Sequence, residues 1–325
     1  MIESIATYRQ TFLDHLVQIE FPESPRELYS PIEYILDIGG KRIRPVLVLL
    51  SADLYGAEPG EALPAAPAVE IFHNFTLIHD DIMDAAPLRR GRETVHEKWD
   101  TNTAILSGDA MLIEAYRQLE YYSPEIFKPM MQFFSKTALE VCEGQRDDMD
   151  FETLDQVGID QYLTMIKYKT AVLVGCALKM GALIGGASSE DQQALYTFGI
   201  GLGLAFQLQD DYLDVFGDPE TFGKQVGGDI IENKKTFLYL KALELASEQE
   251  ARELRDLYSI KTRDPQAKVQ RVTQIFRSSG SADGARELIR QYTDQAFEQL
   301  ESLSLPDNRK AVLREFGNWL LNRDF

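Results

Sequence analysis

The sequence predicts a single all-α domain, and three observations support this prediction. Apolar residues recur at helical period in every long patterned segment, and no run alternates cleanly with a period of two. The composition, with 44% hydrophobic and 26% charged residues, is that of a globular protein. No stretch rich in Pro, Gly or Ser divides the 325 residues. One domain over 1–325 is therefore expected, although length alone suggests about two.

Proline and glycine positions divide the chain into predicted helices. Pro31 after Ser30 predicts a helix start, and Gly39 with Gly40 predicts its end, because Pro favours the first helical position and Gly follows the last. Further helical patterns cover 43–55, 61–84, 102–122, 124–150, 160–183 and 190–216. The remainder, 235–325, breaks into four or five shorter amphipathic helices, with polar joints at 261–265 and 278–284.

Charge and cysteine content exclude several classes of protein. The net charge of −19 excludes a nucleic-acid binder that works through a general basic field. Two cysteines are too few for a disulfide framework or a cysteine-based zinc site, which favours a reducing cytoplasm. The apolar stretch 171–187 carries Lys179 in its middle and is shorter than the roughly 20 residues of a membrane span, so we expect a buried helix there and no span.

The pattern Asp-Asp-x-x-Asp occurs twice, as DDIMD at 80–84 and as DDYLD at 210–214. On a helix the first and last aspartates of each motif stack one turn apart, where like charges are unfavourable. A solvated acidic face does not explain this cost, because the preceding segments FHNFTLIH and GLGLAFQLQ are largely apolar. Carboxylates in such surroundings need cations, and hard oxygen ligands favour Mg²⁺ or Ca²⁺. Both motifs therefore predict metal sites.

Cationic residues accompany both motifs despite the acidic composition. Arg presents a planar fork that suits phosphate, and Lys supplies a compact point charge. Since Mg²⁺ typically combines one or two carboxylates with phosphate oxygens, the combination indicates a diphosphate substrate. The cations are Lys41, Arg42, Arg44, Arg89, Arg90, Lys169, Lys224, Lys234 and Lys235.

These motifs resemble those of a known family. GGKRIRP, LIHDDIMDAAPLRRG, GDAM, EGQRDDMDF, YKT, FQLQDDYLD, GKQVGGD and KKT occur in the order found in trans-isoprenyl diphosphate synthases, the polyprenyl synthetase family. The resemblance runs from about residue 29 to 240, and the last 85 or so residues add little to it. It implies an orthogonal helical bundle around a deep central cavity, the isoprenoid synthase fold. It also implies a homodimer, for which 102–122 is a candidate interface.

The resemblance further implies a role for each matching residue. The ligands of three Mg²⁺ ions would be Asp80, Asp84, Asp210 and Asp214. The allylic diphosphate would be held by Arg89, Lys169, Lys224 and Lys234, and the diphosphate of isopentenyl diphosphate by Lys41, Arg44, His73 and Arg90. Thr170 and Gln207 would face the carbocation, with Gln145 and Asp148 in a supporting role.

The implied reaction is a 1′-4 condensation. The metal ions and cations withdraw charge from the leaving diphosphate, and the double bond of isopentenyl diphosphate attacks the allylic cation. No Asp–His pair is placed as a base, so we expect the released diphosphate to take the proton. An apolar wall with a few fixed dipoles would shelter the cation.

Two residues before the first motif bear on product length. Thr76 precedes Asp80 by one helical turn, about 6 Å along the axis and on the same face. Phe75 lies about 140° further round, so its place in a tunnel rests on the resemblance. In short-chain members, aromatics at both positions accompany C15 products, and an aromatic at the position of Phe75 alone accompanies C20 products. A C20 product is therefore favoured, with C15 as the close alternative and a purely structural Phe75 as another.

Four rival functions fit the sequence less well. A class I terpene cyclase would replace the second Asp motif with Asn, Ser and Glu, and a squalene-type synthase would show DxxED-like motifs. A non-catalytic subunit of a heteromeric synthase would lack complete Asp motifs. A simple Ca²⁺-binding helical protein would leave RRG and YKT unexplained.

Overall fold

The computed structural model describes residues 3–154, 156–218, 227–260 and 264–321. The regular secondary structure of the described residues is helical apart from one short hairpin, which confirms the predicted all-α class. Two compact units are present. The first comprises Met1–Lys136, Cys176–Tyr196 and Ser304–Arg309, and the second comprises Thr137–Gly175, Thr197–Leu303 and Lys310–Phe325. The expectation of one domain over the whole chain stays a prediction.

The helices follow one another along the chain with short connections. Up to the middle of the chain they are α1 Glu3–Leu16, α2 Arg26–Asp37, α3 Ile43–Leu54, α4 Pro59–Ala62, α5 Ala65–Met83, α6 Val95–Lys98, α7 Thr101–Arg117 and α8 Pro124–Thr153. A 3₁₀ turn covers Gln118–Tyr121. The hairpin strands β1 Leu88–Arg89 and β2 Arg92–Glu93 pair antiparallel between α5 and α6.

Nine helices follow in the described part of the chain. They are α9 Ile159–Ile166, α10 Val172–Ile184, α11 Ser189–Phe216, α12 Gly228–Ile231, α13 Phe237–Leu245, α14 Glu248–Ser259, α15 Pro265–Ser278, α16 Ser281–Glu301 and α17 Asp307–Leu321. The last five of them agree with the four or five short helices predicted over 235–325. None of the described helices is long and apolar enough to cross a membrane.

Helix α5 forms the core of the first unit. Its residues are almost all buried from Ala65 to Phe75, and it packs closely on α7. Gly108 of α7 makes this approach possible, because a Cβ there would lie 2.3 Å from Nε2 of His79. In the second unit a similar contact joins α11 to α16, where a Cβ on Gly201 would lie 2.8 Å from Cβ of Ala296.

Two predicted helix boundaries are wrong, and both involve proline. Helix α2 begins at Arg26 rather than at Pro31, which lies inside the helix on its buried face. The predicted helix over 61–84 is divided at Pro64, which has no N–H to donate, so α4 ends and α5 begins there. Pro31 therefore lies within a helix, whereas Pro64 separates two helices.

Candidate active site

The first Asp motif, at the end of α5, has one buried carboxylate and two that are more accessible. Asp81 is 1% exposed and accepts two hydrogen bonds from Arg89, from Nε at 2.8 Å and from Nη2 at 2.7 Å. Burial raises the pKa of Asp81, and the Arg89 bonds oppose that shift. Asp80 is half-buried, with Oδ2 3.8 Å from Arg89 Nη2, and Asp84 is exposed. The first and last carboxylates of the motif are therefore more accessible to solvent than the middle one.

The hairpin after α5 directs Arg89 and Arg90 to different partners. Arg90 lies in the turn with φ +52°, and its Nη1 donates to the carbonyl of Gly39. A side chain at Gly40 would block this contact, because a Cβ there would lie 2.5 Å from Arg90 Nη1. Gly39 and Gly40 have φ +86° and +138°, so the backbone itself requires the double glycine of GGKRIRP, and the Arg90 guanidinium rests on it.

Arg44 and His73 form a buried pair close to Arg90. Arg44 Nη1 lies 3.2 Å from His73 Nε2. Burial and the surrounding charges of Arg44, Arg90, Arg89 and Arg42 hold the pKa of His73 well below its usual value. The imidazole is therefore neutral, and since a guanidinium only donates, Nε2 accepts a hydrogen bond from Arg44 Nη1. His73 in this way orients Arg44.

Arg44 also has donor capacity left for a ligand. Its Nε is buried and has no hydrogen-bond partner among the described residues. An orphaned cationic donor beside the exposed Lys41 and the guanidinium of Arg90 is suited to an anion. Lys41, Arg44, His73 and Arg90 all belong to the first unit.

Arg42 has a structural role, contrary to its grouping with the phosphate-binding cations. It is 5% exposed, adopts φ +52°, and donates to Glu70 Oε1 and to the carbonyl of Leu36. Asn74 Nδ2 donates to the same Glu70 oxygen at 3.2 Å. Arg42 therefore anchors the glycine-rich loop to α5 and has no free face for a substrate.

The second Asp motif, in α11, repeats the division seen in the first. Asp211 is buried and accepts hydrogen bonds from the Tyr162 hydroxyl and from Gln207 Nε2, the latter at 3.0 Å. Burial and the nearby charge of Asp229 raise the pKa of Asp211 well above its usual value. Asp210 and Asp214 are half-buried. In both motifs the middle aspartate binds protein and the outer two are more accessible.

The helix predicted over 160–183 is confirmed from α9 into α10, and it contains a π-helical turn at Lys167–Ala171. Helix α8 passes very close to this turn, where a Cβ on Gly144 would lie 2.3 Å from the Lys169 amide nitrogen. Within the turn, Lys169 Nζ lies 2.5 Å from Asp148 Oδ2, and Thr170 Oγ1 donates to Gln207 Oε1 at 3.4 Å. Such turns occur frequently at functional sites.

These side chains line one cavity of about 140 Å³ in the second unit. Four predicted site residues lie on its wall: Lys169, Thr170, Gln207 and Lys234. The same wall adds four residues that the site assignment omitted or gave only a supporting role: Asp148, Tyr162, Asp211 and Asp229.

Asp229 is the most informative of the added residues. Its amide donates to Asp214 Oδ2 at 3.1 Å, and its Oδ1 lies 3.8 Å from Lys234 Nζ. Burial and the charge of Asp214 raise the pKa of Asp229 to about 7. Burial lowers the pKa of Lys234, but Asp229 and Glu232 outweigh it and raise the pKa overall. The GGD triplet was a signal for Asp229, whereas no motif marks Tyr162.

The paired lysines of KKT have different roles. Both lysines line the cavity, but Lys235 Nζ is bound to the carbonyls of Phe151, at 2.8 Å, and Leu154. These carbonyls belong to the C-terminal end of α8, where a cation is favourable. Lys235 is therefore a helix cap rather than a phosphate ligand.

Phe75 and Thr76 occupy different environments on α5. Phe75 is 7% exposed and packs against Phe72 and His79, with ring centroids 5.5 and 4.8 Å away. Thr76 is half-buried and donates from Oγ1 to the carbonyl of His73 at 2.7 Å. Lys224, the remaining predicted site residue, lies outside the described residues.

The donor set of the two motifs fits Mg²⁺. Within the described ranges, no three His, Cys, Asp or Glu side chains converge into a complete protein cage. Mg²⁺ does not need one, because it keeps water and binds through one or two carboxylates plus substrate phosphates. Asp80 with Asp84, and Asp210 with Asp214, are acidic oxygen donors of that kind, and each pair is accompanied by cations suited to a phosphate.

The fold is all-α, and each of its two units carries an Asp motif. The chain belongs to the polyprenyl synthetase family, whose model matches residues 25–276, and it is a prenyltransferase of the trans-isoprenyl diphosphate synthase type.

The similar proteins agree with this assignment. A geranylgeranyl diphosphate synthase of Methanosarcina mazei is 37% identical over 327 residues, covering 100% of this chain and 97% of that protein. A geranylfarnesyl diphosphate synthase of Natronomonas pharaonis is 35% identical and covers 100% and 98%. A crystal structure of a geranylgeranyl pyrophosphate synthase matches with a TM-score of 0.95 and 52% identity over the whole of both chains. The isoprenoid synthase fold is thereby confirmed.

Proposed function

We propose that this prenyltransferase condenses isopentenyl diphosphate with allylic diphosphates and releases geranylgeranyl diphosphate, with the C15 product as the close alternative. The observation that carries the proposal is the hydrogen-bonded series Thr170–Gln207–Asp211–Tyr162 along one cavity wall, beside Lys169 and Lys234. It combines fixed dipoles with cations, as an ionising diphosphate requires. The names of the similar synthases support the same chemistry.

The allylic diphosphate is assigned to four cations and the other diphosphate to a second set. Arg89, Lys169, Lys224 and Lys234 bind the allylic diphosphate, and Lys41, Arg44, His73 and Arg90 bind that of isopentenyl diphosphate. Arg44 has a buried Nε without a hydrogen-bond partner among the described residues, which supports its assignment to an anion. Because His73 is neutral, the positive charge that faces this diphosphate comes from the lysine and the guanidinium groups.

Asp80, Asp84, Asp210 and Asp214 would hold the Mg²⁺ ions, of which the resemblance implies three. When bound, Mg²⁺ supplies Lewis-acid withdrawal of charge from the leaving diphosphate. Asp81 and Asp211 keep the accessible carboxylates in register, because their own oxygens are bound to Arg89 and to Tyr162 with Gln207.

Thr170 and Gln207 stabilise the positive charge that develops as the diphosphate leaves. Gln207 Nε2 is committed to Asp211, so its Oε1 is held toward Thr170 Oγ1. The two oxygens therefore point their negative ends into the cavity without reorganising during the reaction, which is the most effective form of electrostatic stabilisation. The released diphosphate takes the proton that ends the condensation.

The product assignment depends on the α5 residues that precede the first Asp motif. Phe75 is the bulky residue that stops the growing chain, and the smaller Thr76 leaves room for a C20 product. The packing of Phe75 between Phe72 and His79 holds its ring in one place, which a stop for the chain requires.

Product analysis tests the proposed function. The protein is incubated with labelled isopentenyl diphosphate, Mg²⁺ and, in separate reactions, C5, C10 or C15 allylic diphosphates, and the dephosphorylated products are separated by chromatography. We expect geranylgeraniol as the main product with each primer. No transfer of label with any primer would refute the function, and a main product longer than C20 would refute the role of Phe75.

We also propose a homodimer assembled through α7, in the cytoplasm. Leu106 and Ile113 of this helix are 60% and 62% exposed, one heptad apart on a single face. Two large apolar side chains exposed in this way favour burial against a second copy. Sedimentation equilibrium tests this, because Leu106→Glu should lower the mass from that of a dimer to that of a monomer.

A further inference from the structure

Helix α15 carries a buried lysine that no step of the proposed reaction uses. Lys268 is 3% exposed, and lysine is almost never this buried unless it is paired. Its ammonium donates to Asn233 Oδ1 and lies 5.2 Å from the centroid of the Tyr258 ring. Neither partner carries a formal negative charge, and burial lowers the pKa of Lys268. Burying an ammonium group without a carboxylate partner is unfavourable. We therefore expect the hydrogen bond from Lys268 to Asn233 to have a specific structural role.

Asn233 needs an anchor because of its backbone conformation. Its φ of +63° lies in the left-handed region, which favours glycine and which asparagine tolerates. The residue follows the C-cap of α12, where its N–H donates to the carbonyl of Ile230 at 3.3 Å. The next N–H, of Lys234, donates to the carbonyl of Asp229 at 2.9 Å. These two bonds form a Schellman turn, with asparagine at the usual glycine position.

This turn sets the positions of two residues on the cavity wall. The Lys234 amide is bound to the Asp229 carbonyl, and the Lys234 ammonium lies 3.8 Å from Asp229 Oδ1. The Asp229 amide in turn donates to Asp214 Oδ2 at 3.1 Å. A change at Asn233 therefore moves Lys234 relative to both carboxylates.

Helix α15 supports the other end of the same segment. Gly227 precedes α12 with φ +85°, and a Cβ on it would lie 2.6 Å from Val269 Cγ1. Val269 is the neighbour of Lys268, so one turn of α15 contacts the segment at its start, through Val269, and at its end, through Lys268.

We propose that Lys268 is a positioning residue for the diphosphate site. Its buried ammonium fixes the Asn233 side chain, keeps the turn after α12 in place, and so directs Lys234 toward the allylic diphosphate. The inference rests on the proposed function of Lys234. It gives Lys268, which lies in none of the motifs quoted above, a place in substrate binding.

Steady-state kinetics on the full chain test this role. Lys268→Met removes the ammonium and retains much of the apolar stem, and Lys268→Arg keeps a cationic donor. Arg271→Met is the matched control, because Arg271 lies on the same helix and donates to Glu253 at 2.6 Å through both Nε and Nη2. The kcat and the KM for each substrate are measured at saturating Mg²⁺, together with the melting temperature.

Lys268→Met should raise the KM for the allylic diphosphate about tenfold, the lower end of what a lost charged hydrogen bond causes. The KM for isopentenyl diphosphate should stay at the wild-type value, and Arg271→Met should change neither. Lys268→Arg should recover part of the loss. In a Lys234→Ala background, Lys268→Met should add no further increase, since both substitutions remove the same interaction.

Equal increases for both substrates, or a further increase in the Lys234→Ala background, would overturn the inference. So would a wild-type allylic KM in Lys268→Met when Lys234→Ala raises it. If Lys268→Met does not fold, Asn233→Ala and Asn233→Gly replace it: alanine should raise the allylic KM more than glycine, which adopts the turn unaided, and the reverse order would overturn the inference. A wild-type allylic KM in Lys234→Ala would instead refute the proposed role of Lys234, and the inference with it.

Discussion

Arg89 and Asp81 form a two-bond ion pair, with Nε and Nη2 donating to the two carboxylate oxygens at 2.8 and 2.7 Å. The pair joins the end of α5 to the hairpin strand that follows it. It occupies Asp81, the buried aspartate of DDIMD, whereas Asp80 is half-buried and Asp84 is exposed. The motif therefore combines one structural carboxylate with the two more accessible carboxylates that we propose as metal ligands.

Asp81→Asn should reduce stability more than it reduces metal binding. The amide cannot replace both charged hydrogen bonds, and the loss should be about 1.5–3 kcal/mol in the free energy of unfolding. Urea unfolding with and without Mg²⁺ measures it. Asp84→Asn is the matched control, since Asp84 is exposed and its loss should leave the stability near that of the wild type. Equal destabilisation by both substitutions would contradict the division of roles.

Arg90→Ala and Lys234→Ala should affect different substrates. Arg90 rests on the loop of GGKRIRP, and its loss should mainly raise the KM for isopentenyl diphosphate. Lys234 lines the cavity of the second unit, and its loss should mainly raise the KM for the allylic substrate. Each increase should be roughly ten- to a hundredfold, as expected for a charged hydrogen bond. Lys224→Ala should behave like Lys234→Ala.

Initial rates with each substrate varied at a saturating level of the other give these constants. Arg92→Ala serves as the hairpin control, because Arg92 is exposed and paired with Asp37 at 3.1 Å. Equal losses for both substrates in each variant would refute the separation of the two diphosphate sites.

Phe75→Ala and Thr76→Phe should change product length in opposite directions. Removing the Phe75 ring opens space between Phe72 and His79 and should lengthen the product beyond C20. An aromatic ring at Thr76 should shorten it to C15. Chromatography of dephosphorylated products measures both, and an unchanged chain length in both variants would show that neither residue lines the tunnel.

Gly144→Ala should impair turnover by disturbing the π-helical turn. Its Cβ would lie 2.3 Å from the Lys169 amide nitrogen, so backbone must move. Overpacking of this kind costs about 1–3 kcal/mol in stability, and the displacement of Lys169 and Thr170 should lower kcat as well. Glu143→Ala is the control, since Glu143 is exposed on the preceding position of α8. A wild-type kcat in Gly144→Ala would mean that the turn geometry is unimportant for the reaction.

Local patterns predicted the helical class and several boundaries well. Glycine after an apolar run placed the end of the third helix close to Leu54, and the last apolar residue of α11 matched the predicted end at 216. The Asp motifs identified both acidic helices, because i and i+4 spacing is a property of one helix alone. These features depend on neighbours within a few residues.

Features that depend on distant neighbours were not predicted. Tyr162 is separated from Asp211 by 49 residues, and no pattern in either segment indicates that they meet. The π-helical turn lies against Gly144 of another helix, and Lys235 differs from Lys234 because its Nζ donates to the end of α8. Packing of separate elements decides which of several similar side chains becomes a ligand and which becomes structural.

We propose that each Asp motif is required for the ionisation of the allylic diphosphate. It is tested most directly by the rate of diphosphate release and transfer of labelled isopentenyl diphosphate in Asp80→Ala and Asp210→Ala at saturating Mg²⁺. Both variants should keep the wild-type melting temperature or exceed it, because removing a carboxylate relieves repulsion. Both should lose ionisation, with turnover below about a tenth of the wild-type value. A folded variant of either aspartate that retains more than that would contradict the claim for its motif.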